Sequence, residues 1–283
     1  IISTARKISK QELEPAINVL GSWGLKVVFG ANLFEENHQF SGTIDQRASD
    51  LKKMIADDSI KAILCARGGY GTVQLIDAID FSTLLKHPKW VIGYSDVSVL
   101  HSHLNNLGVA SLHATMPINF ENNTKEALES LKNSLFGLST TIKCSSHPLN
   151  KNGEITAEIV GGNLSILYSL LGSVSDVNTD GKILFIEDLD EYLYHIDRMM
   201  TNMKRNGKFT KLKGMIVGGM NAMNDNTIPF GKTAEEIISE HLKAYDFPVC
   251  FAFPSGHLDD NRCIRFGIES VLEITENGVS LSQ

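Results

Sequence analysis

The sequence predicts an α/β protein with an N-terminal Rossmann-like domain on a parallel sheet. A smaller C-terminal domain, β-rich and of α+β or barrel-like character, is expected to follow. Three observations lead there. Over about the first 115 residues, short apolar runs alternate with segments of helical spacing, the rhythm of βαβ units. The stretch Ser145-Ser-His-Pro-Leu-Asn-Lys-Asn-Gly153 then interrupts that rhythm with Pro, Asn and Gly. Beyond it, strand-like pieces outnumber helical ones.

The chain opens Ile1-Ile2-Ser3 without Met or a charged, apolar leader, so residues 1–4 read as the remnant of a first strand. Residues 9–20 have helical spacing with Ser9 placed to cap them. Residues 25–29 read as a strand after Gly24. Residues 43–55 are amphipathic, with Ile44, Ala48, Leu51 and Ile55 on one face. A buried strand over 61–65 runs into Arg67-Gly68-Gly69-Tyr70-Gly71, and a helix over 72–78 follows. Next come a strand over 90–94 and a helix over 97–106. Ligands gather at the carboxyl ends of the strands in such a sheet.

Residues 121–135 form a polar-faced helix. Strand-like pieces then fall at 158–160, 182–186, 214–217, 249–253, 264–266 and 270–274, with helices near 190–205 and 233–242. On this reading residues 1–120 carry the nucleophile, 121–153 link, and 154–283 form the second domain. There is no internal repeat and no low-complexity tract.

Composition narrows the function. The 283 residues, 42% hydrophobic, suffice to bury a proper core. A net charge of −7, from 26 basic and 33 acidic residues, argues against a nucleic-acid partner, which basic clusters would have to hold. The apolar runs are too short to span a bilayer, so no membrane partner is expected. Cys65, Cys144, Cys250 and Cys263 lack C-x-x-C spacing, which disfavours a zinc ribbon or a disulfide framework. Reduced thiols in a cytoplasmic protein are expected, with Cys65 and Cys250 as small core residues.

The most informative stretch is Lys89-Trp-Val-Ile-Gly-Tyr-Ser-Asp-Val-Ser-Val-Leu100. It places Ser95 between an apolar strand and a helical pattern. Such a turn pushes the hydroxyl outward and puts free helix N–H groups behind it. Val97 stands where a G-x-S-x-G elbow has its second glycine, and a plain helix N-cap at Ser95 or Asp96 stays open. A serine nucleophile needs a base, usually His, and the His needs an orienting carboxylate.

Nine histidines are available. His101 and His103, two apart on a helix, point different ways. His113 follows a strand, and His195 reads as solvated. His257 ends Phe251-Ala-Phe-Pro-Ser-Gly-His257, where a fixed loop side chain belongs. Glu187 ends the apolar strand of Lys182-Ile-Leu-Phe-Ile-Glu-Asp-Leu-Asp-Glu191, and Asp188, Asp190 and Glu191 read as carboxylates opening the next helix. No spacing adds a convergent His or Cys, so no metal site is expected. The glycine loop at residues 67–71 could cradle an anion but lacks the G-x-G-x-x-G register. Gly231-Lys-Thr233 is not a P-loop, because Asn226 stands at its first glycine position.

Taken in order, these segments resemble the LD-carboxypeptidase family of serine peptidases, which includes the microcin-immunity peptidases. The matching stretches are Arg67-Gly-Gly-Tyr-Gly71, Gly93-Tyr-Ser-Asp96, Gly161-Gly-Asn-Leu164, Phe185-Ile-Glu-Asp-Leu-Asp-Glu191, Tyr194-His-Ile-Asp-Arg198 and Phe253-Pro-Ser-Gly-His257. The resemblance implies a Ser–Glu–His triad: Ser95 as nucleophile, His257 as base then acid, and Glu187 as its orienting partner. It implies an oxyanion hole from the backbone N–H of Asp96 and of Gly71 or Gly69. It further implies an active site between two domains, a homodimer, and no metal or cofactor. The implied activity is cytoplasmic removal of the terminal D-alanine from murein tetrapeptides, cutting an L,D bond in cell-wall recycling.

An exopeptidase also needs a cation for the substrate carboxylate, and Arg67 is the candidate. The sequence departs from the family at Ser3-Thr-Ala-Arg-Lys7, where members usually carry a Pro–Ser loop on the active-site side. Two other classes compete. An immunity-type hydrolase cleaving an aminoacyl-nucleotide would need a stacking aromatic, and Trp23 and Trp90 both read as structural. A non-enzymatic Rossmann-like binding module would have to explain why Ser95, Glu187 and His257 each end an apolar run.

Overall fold

In the computed structural model, which describes residues 1–283, the expected alternation begins with two helices that cap themselves. In α1 (Lys10–Ser22) the Glu12 N–H donates to Ser9 Oγ while the Ser9 N–H donates to the Glu12 carboxylate. Thr43 and Gln46 do the same for α2 (Ile44–Ala56). Such reciprocal bonds satisfy two orphan donors at a helix start. Ala48, Leu51 and Ile55 are buried as expected, while Ile44 stays exposed in the first turn.

The first sheet sets β1 (Ala62–Leu64), β2 (Trp90–Gly93) and β3 (Ser111–His113) side by side and parallel, with α3 (Ser82–Lys86) and α4 (Ser98–Asn106) between them in sequence. Ile2 pairs in parallel with Cys65, so the opening residues do extend this sheet. Residues 25–29 are not a regular strand. Val28 accepts from the Ile1 nitrogen and Gly30 donates to the Ile1 carbonyl, which is too short a contact for a ladder. Residues 72–78 form two 3-10 turns, Thr72–Gln74 and Ile76–Ala78, rather than one helix. The Thr72 N–H and hydroxyl are drawn to the Asp96 carboxylate. The segment 121–153, expected to link, carries α5 (Lys125–Leu135) and β4 (Thr141–Cys144).

In the second half the βα alternation resumes: β5 (Gly153–Asn163), α6 (Leu164–Leu170), β6 (Ile183–Leu189), α7 (Leu193–Arg205), β7 (Gly214–Asn221), α8 (Ala234–Leu242) and β8 (Val249–Cys250). β5 to β8 are parallel neighbours. Ile183 to Asp188 of β6 are all buried, as in a strand covered on both sheet faces. Leu167, Met199 and Ile237 pack in the cluster over one face, and Phe253, Phe266 and Leu272 in the cluster over the other.

After β9 (Ile264–Phe266), the hairpin of β10 (Glu269–Thr275) and β11 (Gly278–Ser282) continues the seven-stranded sheet antiparallel, in the order β4-β11-β10-β5-β6-β7-β8. β10 alternates strictly, with Ser270, Leu272 and Ile274 buried. β9 leaves this sheet and pairs antiparallel with β3, setting Arg265 against Leu112. The second half therefore supplies the fourth strand of the first sheet. No helix is long and apolar enough to cross a membrane.

Candidate active site

β2 ends at Gly93, and the chain enters α4 through a 3-10 turn, Ser95–Val97. Ser95 sits there at φ +62°, in the left-handed region. For a non-glycine residue that conformation costs about 1–3 kcal/mol and persists only where the surroundings enforce it. Tyr94, Asp96 and Val97 are buried, while Ser95 keeps partial access to solvent. Neither Ser95 nor Asp96 caps α4: its N-cap is Val97, with no side-chain bond.

The Asp96 carboxylate turns inward, away from any cap, and takes the Thr72 N–H at 2.9 Å and the Thr72 hydroxyl at 2.6 Å. Burial pushes its pKa up, opposed by the Thr72 bonds, the Gly71 N–H and Arg47. Arg47, fully buried, donates to the carbonyls of Thr4 (2.6 Å) and Gly71 (3.0 Å). The glycine loop is thus clamped onto the nucleophile turn. Its closest approach is at Gly68, where a β-carbon would lie 3.0 Å from Ser95 Cβ and 3.1 Å from Oγ. The sequence singled out Gly69 and Gly71 but not Gly68. The signal is the unbroken Gly68-Gly69 pair, which lets backbone meet a side chain.

Glu187 lies near the carboxyl end of β6 with no exposure to solvent. Its Oε2 accepts from His257 Nδ1 at 2.6 Å and from the His257 N–H at 3.2 Å. Gly256 makes this approach possible: its φ is +113°, and a β-carbon there would lie 2.8 Å from Glu187 Cβ. Asn221, from the end of β7, donates to the His257 carbonyl, and Asn261 accepts from the Gly256 N–H at 2.8 Å. Burial disfavours the His257 imidazolium. The charge and hydrogen bond of Glu187, with the charge of Asp188, outweigh it, and the His257 pKa rises above its ordinary value.

The two halves meet through Tyr94, whose ring packs edge-on against His257 with centroids 4.8 Å apart. Tyr94 directly precedes Ser95, so the nucleophile turn adjoins the residue whose ring meets His257. No hydrogen bond joins Ser95 to His257 in this state. Such bonds commonly close only when substrate binds.

Asp188 follows Glu187 but does not open α7, as the sequence suggested. It accepts from Asn163 Nδ2 and from the Ser165 N–H, both at 2.9 Å, and so anchors the start of α6. The Asn163 N–H in turn donates to Ser98 Oγ of α4 at 2.9 Å. Burial, then the charge of Glu187, push the Asp188 pKa up to about 7. Asp190 accepts instead from Asn224.

The other histidines have separate tasks. His101 is buried between Ser111 and the Gly93 carbonyl, and burial pushes its pKa down to about 4. His113 is buried too, and its pKa falls well below the usual range for the same reason. His195, expected to be solvated, is partly buried and pairs with Glu191 at 2.6 Å. Arg67 donates to the Lys7 carbonyl at 3.2 Å and lies 3.7 Å from Glu12. No three His, Cys, Asp or Glu residues converge in a group able to hold a metal ion.

A serine in a strained strand-to-helix turn and an imidazole held by a buried carboxylate are parts that acyl transfer through a serine uses. The class is that of serine-type hydrolases. Family models make it specific: residues 1–114 match the LD-carboxypeptidase N-terminal domain and residues 156–272 the C-terminal domain. The chain belongs to the LD-carboxypeptidase family and is a serine-type carboxypeptidase.

It is 32% identical to the probable murein peptide carboxypeptidase of Bacillus subtilis, over 98% of this chain and 88% of that protein. It is 27% identical to the murein tetrapeptide carboxypeptidase of Pseudomonas aeruginosa, over 96% and 92%. The crystal structure of muramoyltetrapeptide carboxypeptidase from Oxalobacter formigenes shares the fold with a TM-score of 0.90 at 24% identity, over 99% of this chain and 97% of that one.

Proposed function

We propose that this carboxypeptidase hydrolyses the L,D peptide bond to the terminal D-alanine of murein tetrapeptides, in cytoplasmic cell-wall peptide recycling. The observation that carries the reading is the 2.6 Å bond between His257 Nδ1 and buried Glu187, with a serine at φ +62° next to Tyr94, whose ring meets that imidazole. The names of the Bacillus and Pseudomonas relatives support the substrate.

Ser95 Oγ attacks the carbonyl of the penultimate residue while His257 Nε2 takes its proton. Glu187 holds the Nδ1–H and stabilises the imidazolium. The oxyanion rests on the backbone N–H groups of Asp96 and Gly69. Gly69 is favoured over Gly71 because it is exposed, whereas Gly71 is buried with its carbonyl on Arg47 and its N–H against Asp96. Each such donor contributes about 3–4 kcal/mol to the transition state. His257 then protonates the leaving amine, and water, activated by the same imidazole, hydrolyses the acyl-enzyme.

The test is D-alanine release from a murein tetrapeptide by the wild type and Ser95→Ala, both in excess chelator. The wild type is expected to release D-alanine regardless of chelator, with the variant slower by at least about 10³-fold. Full activity in Ser95→Ala would sink the mechanism. A folded wild type that spares the tetrapeptide but cleaves an aminoacyl-nucleotide conjugate would move the substrate to the immunity class.

A further inference from the structure

The loop Ser3-Thr-Ala-Arg-Lys7 follows the short pairing of Ile2 with Cys65 and borders the glycine loop, with Thr4 and Ala5 against Gly71 and Arg6 against Gly69. Its backbone is fixed around Arg6. Ser3 Oγ donates to the Arg6 carbonyl at 2.6 Å, Arg6 bridges Phe40, and the Lys7 N–H donates to the Gln39 carbonyl at 3.0 Å. The Arg6 side chain is exposed and lies over Gly69. A β-carbon at Gly69 would be 2.7 Å from Arg6 Cγ and Cδ and 2.9 Å from Nε.

The Arg6 guanidinium makes no hydrogen bond and no ion pair within the chain, while the cations around it are committed. Lys7 pairs with Glu36 at 2.6 Å. Arg67 serves Glu12 and the Lys7 carbonyl, and Arg47 serves the Thr4 and Gly71 carbonyls. The carboxylate-binding role that sequence assigned to Arg67 therefore fits Arg6 better.

Gly68 approaches Ser95 and the adjacent Gly69 approaches Arg6, so consecutive residues of the glycine loop connect the nucleophile turn to the open cation. We propose that Arg6 is a specificity-determining residue that binds the α-carboxylate of the C-terminal amino acid being released. The role rests on the carboxypeptidase reading above. A planar guanidinium donates two parallel N–H bonds to a carboxylate, and an open cation on the glycine loop that adjoins Ser95 restricts cleavage to the last residue of a peptide.

The test compares release of the C-terminal residue from a murein tetrapeptide with a free carboxylate and from the same peptide as its C-terminal amide. The enzymes are wild type, Arg6→Gln and Arg6→Lys, each checked for an unchanged thermal midpoint. Arg6→Gln is expected to lower kcat/KM on the acid about 10–100-fold, mainly through KM, as for loss of a charge-assisted bond. The amide is left nearly unaffected, and Arg6→Lys recovers part of the loss. Equal losses on acid and amide would show that Arg6 only supports the glycine loop and would overturn the proposal. So would an Arg6→Gln enzyme as active on the acid as wild type. A folded wild type that cleaves neither peptide overturns the substrate reading, and the role of Arg6 with it.

Discussion

Glu187 uses one carboxylate oxygen for both the ring and the backbone of His257, while its other oxygen is buried without a partner. Burial alone would lower the His257 pKa, and Glu187 is the main group that reverses the sign. A general base works neutral. The acid limb of kcat/KM is therefore expected above the ordinary imidazole range near 6.5. In Glu187→Gln the charge is gone and burial prevails, so the limb moves to lower pH while the rate falls by up to about 10⁴-fold. A pH–rate profile of both proteins checks this, and a limb that stays in place would remove His257 as the base. At this scale the sequence was informative: Ser95, Glu187 and His257 each end an apolar run, and the fold joins Glu187 to His257 and sets Tyr94, next to Ser95, against the imidazole. It was less informative about Gly68 and Arg6, whose importance comes from what lies against them.

Among elements, β6 shows how one strand end divides its labour. Successive side chains on a strand point to opposite faces. Glu187 therefore meets His257, while Asp188 meets Asn163 and Ser165 at the start of α6. That alternation was the overlooked signal in the acidic cluster, which sequence reading assigned to the start of α7.

The raised pKa of Asp188 has a stability consequence. Its ordinary value is 3.8 and its folded value about 7, so between those limits the folded state binds more protons than the unfolded one. Stability from this group is thus lost as pH rises from about 4 to about 7. Thermal midpoints across that range should fall more steeply for the wild type than for Asp188→Asn. Parallel curves would show that Asp188 does not titrate there. Helix starts were legible because capping is local: Ser9, Thr43 and Thr233 each bond a residue three positions on. The βα alternation of β5 to β8 was less so, because α6 has only seven residues and leaves little periodicity to read.

Across the whole molecule, β9 joins what the sequence divides. Phe266 is fully buried and packs near Phe185 of the second half and near His101 and His113 of the first. Phe266→Ala should cost about 3–5 kcal/mol and lower the unfolding midpoint of both halves together. Trp23 and Trp90 both belong to the first half, so their fluorescence reports whether a lesion in the second half is felt there. An unchanged fluorescence midpoint, with far-UV ellipticity lost earlier, would mean that the halves unfold separately.

The sequence by itself determined the βα rhythm of the first half, the Ser9 cap and the residue types that end each strand, because these depend on neighbours a few positions apart. Only the tertiary structure decided that Glu187 meets His257 across 70 residues, that Gly68 touches Ser95, and that Arg67 is engaged while Arg6 is open. Those pairings follow from which buried surfaces pack together, a property of the whole chain that no local spacing encodes.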